Sequence, residues 1–328
     1  MSDQTERSAP EMGEITAAQQ RLGELRRQVM HVFMGSPRIA DLLLTALLAK
    51  GHVLLEGVPG IAKTTLAKAF SAALGCTMRR IQFTPDLLPA DITGTYVLHP
   101  REGTFSLRQG PVFANVVLAD EINRAPAKTQ SALLEAMQEQ QVTIEGERFE
   151  LPKPFLVLAT QNPVDLEGTY PLPEAQIDRF LIRIALGYPT HREEVAMLRA
   201  HNVTAPQAHA VLSSDDVLLL QGVAARVHVE DDLMEYAVSL TGYTRAHPKV
   251  VLGASPRASL GLLQAAKGAA VIHGRNFVTP DDIRSLAGPV LAHRFILAPE
   301  VEGDEKARDA IVEEALLKVS YRREVRAV

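Results

Sequence analysis

The chain holds one cysteine, Cys76, so it cannot form an internal disulfide. That fits a reducing compartment. Beside Gly75, at the end of an apolar helical stretch, the lone thiol reads as inert filler, since a reactive thiol needs an electropositive setting. Long apolar runs are equally scarce. The longest, Ile39 to Ala49, already contains Asp41 and is too short to cross a bilayer. The polar stretch from Met1 to Ile15 carries no apolar segment of the secretory kind. No membrane insertion is therefore expected, and a cytoplasmic location is. Excess positive charge is lacking too: 34 Lys and Arg against 39 Asp and Glu leave a net charge of −5. This balance argues against bulk electrostatic binding of nucleic acid, and no nucleic-acid partner is expected, although a local basic pore loop would survive the test. What is present is ordinary for a soluble globular protein: 328 residues, 46% hydrophobic and 22% charged, enough for a sizeable core and two domains.

Residues 1–14 read as a disordered start. From Ile15 onward, Leu22, Leu25, Val29, Val32 and Phe33 recur at spacings of three and four and mark one apolar helix face. A second helix, about Pro37 to Ala49, closes at Gly51. Strand-like runs then alternate with helical stretches. The runs are His52–Leu55, Met78–Phe83, Asn115–Ala119, Phe155–Ala159 and Phe180–Leu186; helices include Lys63–Leu74 and Ala127–Glu139. The first, third and fourth runs are continuously apolar at their centres, as strands covered on both faces are. Arg79, Arg80 and Gln82 interrupt Met78–Phe83, which reads as an edge strand. The alternation predicts an α/β fold around a parallel sheet. Gln141–Pro154, with short runs around Glu145-Gly146-Glu147, predicts a β-hairpin. After Pro189 helical patterns take over: His191–His201, Ser214–Val227, Asp231–Ala246, Ser255–His273, Pro280–Ala292 and Arg308–Val319, several with caps such as Ser213, Ser255 and Thr279. The expected organisation is an α/β core over 15–189 and an all-helical domain over 190–328.

The strongest chemical signal is Gly57-Val58-Pro59-Gly60-Ile61-Ala62-Lys63-Thr64, continuing into Thr65. It follows a strand and opens a helix, the context a phosphate-binding loop requires. Backbone N–H groups of loop and helix can face phosphates. Lys63 would reach the β and γ phosphates of a nucleotide, and the Thr64 hydroxyl would hold Mg²⁺. The residue before the lysine is Ala62, where a phosphate loop ordinarily carries glycine. A Gly/Pro turn before an amphipathic helix is the bland alternative, which the strand-loop-helix context disfavours.

Further signals lie at strand ends. Val116-Val117-Leu118-Ala119 leads into Asp120-Glu121, putting two carboxylates at the carboxyl edge of the sheet, where α/β proteins bind ligands. Asp120 suits the Mg²⁺ second shell and Glu121 suits activation of an attacking water. Taken alone, such a pair is as often a helix N-terminal charge pair. Phe155–Gln161 leads to Asn162, which could position the water, though Asn-Pro after a strand is usually a turn. Arg179, between a helix and a strand, is ordinarily solvated or paired with Asp178; in a ring it could enter a neighbour's site. Arg257 opens a helix of the second domain after Gly253-Ala254-Ser255-Pro256, and is by itself equally a surface arginine.

Taken together these segments resemble an AAA+ ATPase, with Walker A at 57–64, Walker B at 116–121, sensor 1 at Asn162, an arginine finger at Arg179 and sensor 2 at Arg257. The wording of Leu54–Thr64, Ala119–Ala125, Ala159–Pro163 and Leu172–Phe180 resembles the MoxR group in particular, over about Ile15 to Arg323. Alanine before the Walker lysine is usual in that group; Gly35-Ser36 stands where the group commonly has Gly-Gln. The resemblance implies a five-stranded P-loop sheet in order 5-1-4-3-2 with a C-terminal helical lid. It also implies ATP and Mg²⁺ as cofactors, a homo-oligomeric, hexameric ring, and chaperone-like remodelling or activation of partner complexes, often with a von Willebrand factor A domain protein. An insertion around Leu87–Leu98 with Gly103–Arg108, and the hairpin at Gln141–Pro154, would face the ring pore. A slowly hydrolysing, nucleotide-gated assembly scaffold and a magnesium-chelatase-like subunit are the alternatives.

Overall fold

The computed structural model describes residues 8–58, 61–162, 169–203, 206–301, 304 and 306–321. Pro59 and Gly60 of the phosphate-loop motif, and Pro163, lie outside the described residues. The chain forms two compact units, one of residues 24–40 and 50–218 and one of 1–23, 41–49 and 219–328. The change from strands to helices does come near Pro189, but the compact units divide at Leu218, and they draw two early segments into the helical unit.

The first unit contains, in chain order, β1 (Val53–Glu56), β2 (Met78–Gln82), β3 (Gly94–His99), β4 (Thr104–Gln109), β5 (Val116–Asp120), β6 (Gln141–Ile144), β7 (Glu147–Glu150), β8 (Leu156–Gln161) and β9 (Ile182–Ala185). Five of them make a parallel sheet in the order β2-β5-β8-β1-β9. Counting these sheet strands along the chain, that order is 5-1-4-3-2, as expected. Burial explains it. Every residue of β5 is buried and all but the last of β8, whereas β2 exposes Arg79 and Arg80 and takes the edge. Helix Ala127–Glu139 drives Leu133, Leu134 and Met137 into a core shared with Leu54, Val117, Val157 and Phe180. Helix Lys63–Ala73 buries Leu66, Ala67, Phe70 and Ala73.

Register aligns the strand ends. Gln82 lies opposite Asp120, Ala119 opposite Ala159, and Glu56 opposite both Gln161 and Ala185. Apart from Ala185 on β9, the strands of the apolar sheet end in polar residues.

Two antiparallel hairpins complete this unit, β3–β4 and β6–β7. The second is the one expected from Gly146: Glu145 and Gly146 both adopt positive φ, 49° and 86°, the twist a two-residue hairpin turn needs. In the first, Tyr96 and Leu107 stand opposite each other and pack on the core, while Leu98 and Phe105, the next pair on the same face, are exposed. The Tyr96 hydroxyl donates to Glu147 at 2.6 Å and ties the hairpins together.

Helix Met12–Val32 has its first part, through Gly23, in the helical unit, so residues 12–14 are helical where a disordered start was expected. The reason is local: the Glu14 carboxylate accepts from the Glu11 N–H at 2.9 Å and pairs with Arg226. Helices Asp231–Ala246, Pro256–Ile272, Pro280–Leu291 and Ala307–Lys318 follow the expected spans within two residues. A short antiparallel pair, β10 (Val250–Leu252) with β11 (Ile296–Leu297), was not foreseen. Thr279 and Asp282 form the capping box at Pro280, and Arg275 grips buried Asp282 through two contacts of 2.6 Å. Ser255 occupies the N-cap of its helix without a side-chain capping bond. Among the described residues no helix is long and apolar enough to cross a membrane.

His52, just before β1, is wholly buried. The Val157 N–H donates to its Nδ1 at 3.0 Å, which leaves Nε2 to donate to the Met137 carbonyl at 3.1 Å, and the ring meets Phe155 edge-on at 5.7 Å. Burial pushes its pKa down to about 4 from 6.5. The folded state holds this ring neutral while the unfolded chain protonates it near pH 6.5. The stability it contributes is thus complete above that pH and is lost as pH falls toward 4. The gap between 6.5 and about 4 corresponds to about 3 kcal/mol. Unfolding measured from pH 7 to 4 should show a steeper loss for the native chain than for His52→Gln; identical slopes would remove His52 as the cause.

Candidate functional site

The site grows from the polar row at the carboxyl end of the sheet. After Glu56 the chain turns at Gly57, whose N–H donates to the Gln161 carbonyl at 3.3 Å. A side chain at Gly57 would meet Ile61 at 2.2 Å and the Leu186 carbonyl at 2.6 Å, so the loop can close only over glycine. Val58 and Ile61 are half-buried on either side of Pro59 and Gly60. Ala62 adopts the left-handed conformation, φ 63° and ψ 22°, directly before the helix. This is the physical meaning of the glycine usual there: alanine fits, at a strain of about 1 kcal/mol. Thr64 and Thr65 follow in the first helical turn, both half-buried.

Lys63 is buried, and its ammonium donates to the carbonyls of Gly57 at 2.7 Å and Gln161 at 3.5 Å. Its pKa is lowered by desolvation, against the opposing pull of Asp120, Glu121 and Glu56. A cation stripped of water and held by neutral carbonyls is a receptor for an anion.

Buried Asp120 ends β5. Its Oδ1 accepts from the Thr160 hydroxyl at 2.6 Å, and its Oδ2 faces the Thr64 hydroxyl at 3.5 Å. Glu121 follows with φ 55° and ψ 51°, a strained conformation for a non-glycine residue, and its N–H donates to Thr160 Oγ1 at 2.8 Å. Its carboxylate accepts from Gln82 at 3.0 Å and Arg124 at 3.2 Å. Asn162 is buried just beyond β8, and its carbonyl accepts from Asn123 at 3.3 Å.

Walker-type lysine, threonine and both carboxylates thus converge, with Asn162 at the adjacent strand end. Arg179 does not join them. It lies half-buried after helix Glu174–Ile177 and before β9, whose Ile182 pairs with Val53, so it stands toward the amino end of the sheet, opposite the carboxylates. Arg257 lies in the first turn of helix Pro256–Ile272 in the helical unit.

Several partners escaped the sequence reading. Arg80, noted only as an interruption of an edge strand, places Nε at 3.0 Å and Nη2 at 2.6 Å from Asp120 Oδ2. Arg183 holds Glu56 at 2.6 Å. Thr160 looked like an ordinary strand residue. The available signal was alternation: Arg80 and Gln82 share one face of β2, and register sets Gln82 beside Asp120. Since Thr160 bridges the Asp120 carboxylate and the Glu121 N–H, Thr160→Val should lower stability by about 1–3 kcal/mol while conserving volume. Thermal unfolding checks this, and an unchanged midpoint would reduce Thr160 to a packing residue.

Comparison with known proteins places this geometry. Residues 52–182 match the model of the ATPase family associated with various cellular activities (AAA), and residues 242–315 match that of the AAA lid domain. The chain is 47% identical to YeaC of Bacillus subtilis over 91% of this chain and 94% of that protein. It is 46% identical to the chaperone MoxR1 of Mycobacterium tuberculosis over 89% of this chain and 80% of the relative. Protein MoxR of Paracoccus denitrificans is 34% identical over 84% of this chain and 88% of its own. A crystal structure of a candidate ATPase from Cytophaga hutchinsonii superposes with a TM-score of 0.89 at 40% identity, covering 95% of this chain and 98% of that one. Sheet order, lid and these relatives agree: the chain belongs to the MoxR family of AAA+ ATPases.

Proposed function

We propose that this chain hydrolyses ATP with Mg²⁺ at the carboxyl end of β1, β5 and β8, and that the reaction is completed between neighbouring subunits of a ring. The observation that carries the reading is the convergence on one loop of a desolvated Lys63 ammonium, the Thr64 hydroxyl 3.5 Å from Asp120 Oδ2, and Glu121 at the next position. The residues fit the cofactors. Lys63 offers an under-compensated cation to phosphate oxygens, Gly57 leaves room for close backbone approach, and a hydroxyl paired with a carboxylate is the hard oxygen set that Mg²⁺ prefers. When bound, Mg²⁺-ATP supplies the phosphoryl group and part of the charge neutralisation.

In this reading Lys63 binds the β and γ phosphates, Thr64 and Asp120 hold the metal, Glu121 takes the proton of the attacking water, and Asn162 orients that water. Arg179 enters the adjoining subunit's site as its finger, which its position away from its own carboxylates supports. Arg257 acts from the lid. The family supports a chaperone role, and the resemblance extends it: a hexamer, working in the cytoplasm, that remodels or activates partner complexes, with a von Willebrand factor A domain protein as the partner class.

Specific ATPase activity should rise with protein concentration. Glu121→Gln should bind ATP with turnover reduced by about a hundredfold or more. Arg179→Ala should bind ATP yet lose turnover on the order of a thousandfold, and should regain part of it when mixed with Lys63→Ala. A rate independent of concentration and indifferent to Arg179 would leave each chain acting alone and would favour the slowly hydrolysing scaffold.

A further inference from the structure

A single guanidinium connects the two acidic residues of the site. Arg80 Nη2 donates to Asp120 Oδ2 at 2.6 Å and to Gln82 Oε1 at 2.5 Å, and the Gln82 amide donates to Glu121 Oε2 at 3.0 Å. The chain Asp120–Arg80–Gln82–Glu121 is continuous, and its middle members lie on the edge strand β2, whose outer side pairs with no other strand among the described residues. The oxygen that Arg80 occupies, Oδ2, is also the one that faces Thr64 Oγ1 at 3.5 Å. An ion held between Thr64 and Asp120 would therefore draw on the oxygen Arg80 already holds.

Asp120 is 7% exposed, and a buried carboxylate without a counter-charge is costly. Arg80 supplies that counter-charge from a side chain that remains 48% exposed, so it can swing into solvent without opening the core. A divalent ion supplies the same compensation more strongly and repels the guanidinium. Its arrival should then loosen Arg80, and with it the grip of Gln82 on Glu121.

We propose that Arg80 is a positioning residue: a built-in counter-ion that holds Asp120 until the divalent cation replaces it, and that passes the exchange through Gln82 to Glu121. The proposal rests on the nucleotide-site reading above and concerns residues that reading leaves without a role. It makes metal arrival and the loosening of Gln82 from the Glu121 carboxylate one linked event, which leaves Arg124 as the remaining partner of Glu121.

The test is binding, not turnover. A fluorescent non-hydrolysable ATP analogue is titrated into the full chain at increasing MgCl₂, and the Mg²⁺ concentration at half-saturation is read. Arg80→Gln removes the competitor and should lower that concentration about fivefold, as expected for losing one half-exposed ion pair. Binding without metal should be unchanged or weaker, because a cation near the phosphates has gone. Gln82→Ala frees one of Arg80's two anchors and should shift the same half-saturation point. In the double variant the shifts should fall short of their sum, since both act through one bridge. An unchanged Mg²⁺ dependence in Arg80→Gln, with thermal unfolding intact, overturns the counter-ion role; strictly additive shifts overturn the transmission through Gln82. Should Arg80→Gln fail to fold, Gln82→Ala carries the test on its own, an unshifted half-saturation counting against the proposal. If the native chain binds no nucleotide with Mg²⁺ present, the site reading itself has failed; nucleotide binding with unaltered metal dependence defeats this inference alone.

Discussion

Everything in the site follows from one constraint: a carboxylate sits at the end of a strand that is otherwise sealed from water. Asp120 closes β5, every residue of which is buried. A charge there survives only with close partners. The surrounding elements supply them: Thr160 from β8 and Arg80 from β2 in direct contact, with Lys63 nearby as a coulombic partner. Neighbouring strands can reach Asp120 because the parallel register brings their ends level, Gln82 on one side and Thr160 on the other. The sheet is thus the device that aligns the chemistry as well as the scaffold beneath it.

Two of the five non-glycine residues with positive φ among the described residues sit at the same edge. Ala62 and Glu121 both hold left-handed backbone, one before the lysine and one after the aspartate. Each conformation costs on the order of 1–3 kcal/mol and persists only where its surroundings enforce it. For Glu121 the enforcing contact is its N–H on Thr160, and the conformation turns the carboxylate toward Gln82 and Arg124. For Ala62 it is the abrupt passage from loop to helix that lets Lys63 fold back onto Gly57. Both departures from relaxed geometry sit where a ligand would be handled, and the packed strands beneath provide the rigidity that sustains them.

How much of this the sequence carried depended on burial. Strands β1, β5 and β8 were legible because residues covered on both faces read as unbroken apolar runs, and polar letters at their ends then stood out. The turn at Glu145-Gly146 was legible because glycine marks the positive φ it adopts. What stayed hidden was polar residues inside strands. Arg80 looked like a solubility device on a weak edge, since a single sequence does not show which neighbour a side chain faces. Thr160 resembled any strand threonine until register set it beside Asp120. Hairpin β3–β4 was blurred because Leu98 and Phe105 continue an apolar face into solvent, with His99 and Arg101 between them. The start of the first helix was missed because Glu14 is stabilised by Arg226, more than two hundred residues away in the chain.

Sheet polarity also bears on why such a chain would work in company. In a parallel sheet every strand end carrying Asp120, Glu121 and Gln161 lies on one edge, and residues entering a strand lie on the other. Arg179 enters β9, so its distance from its own chain's carboxylates is set by topology, not by a rotamer it could change. Among the described residues the arginines beside the carboxylates are already engaged, Arg80 with Asp120, Arg124 with Glu121 and Arg183 with Glu56, and Lys63 is the cation left facing the loop. A further positive charge at the site would have to come from an element outside this sheet. In the ring proposed above, a second subunit would be one source of that charge, and Arg179 is the residue it would offer.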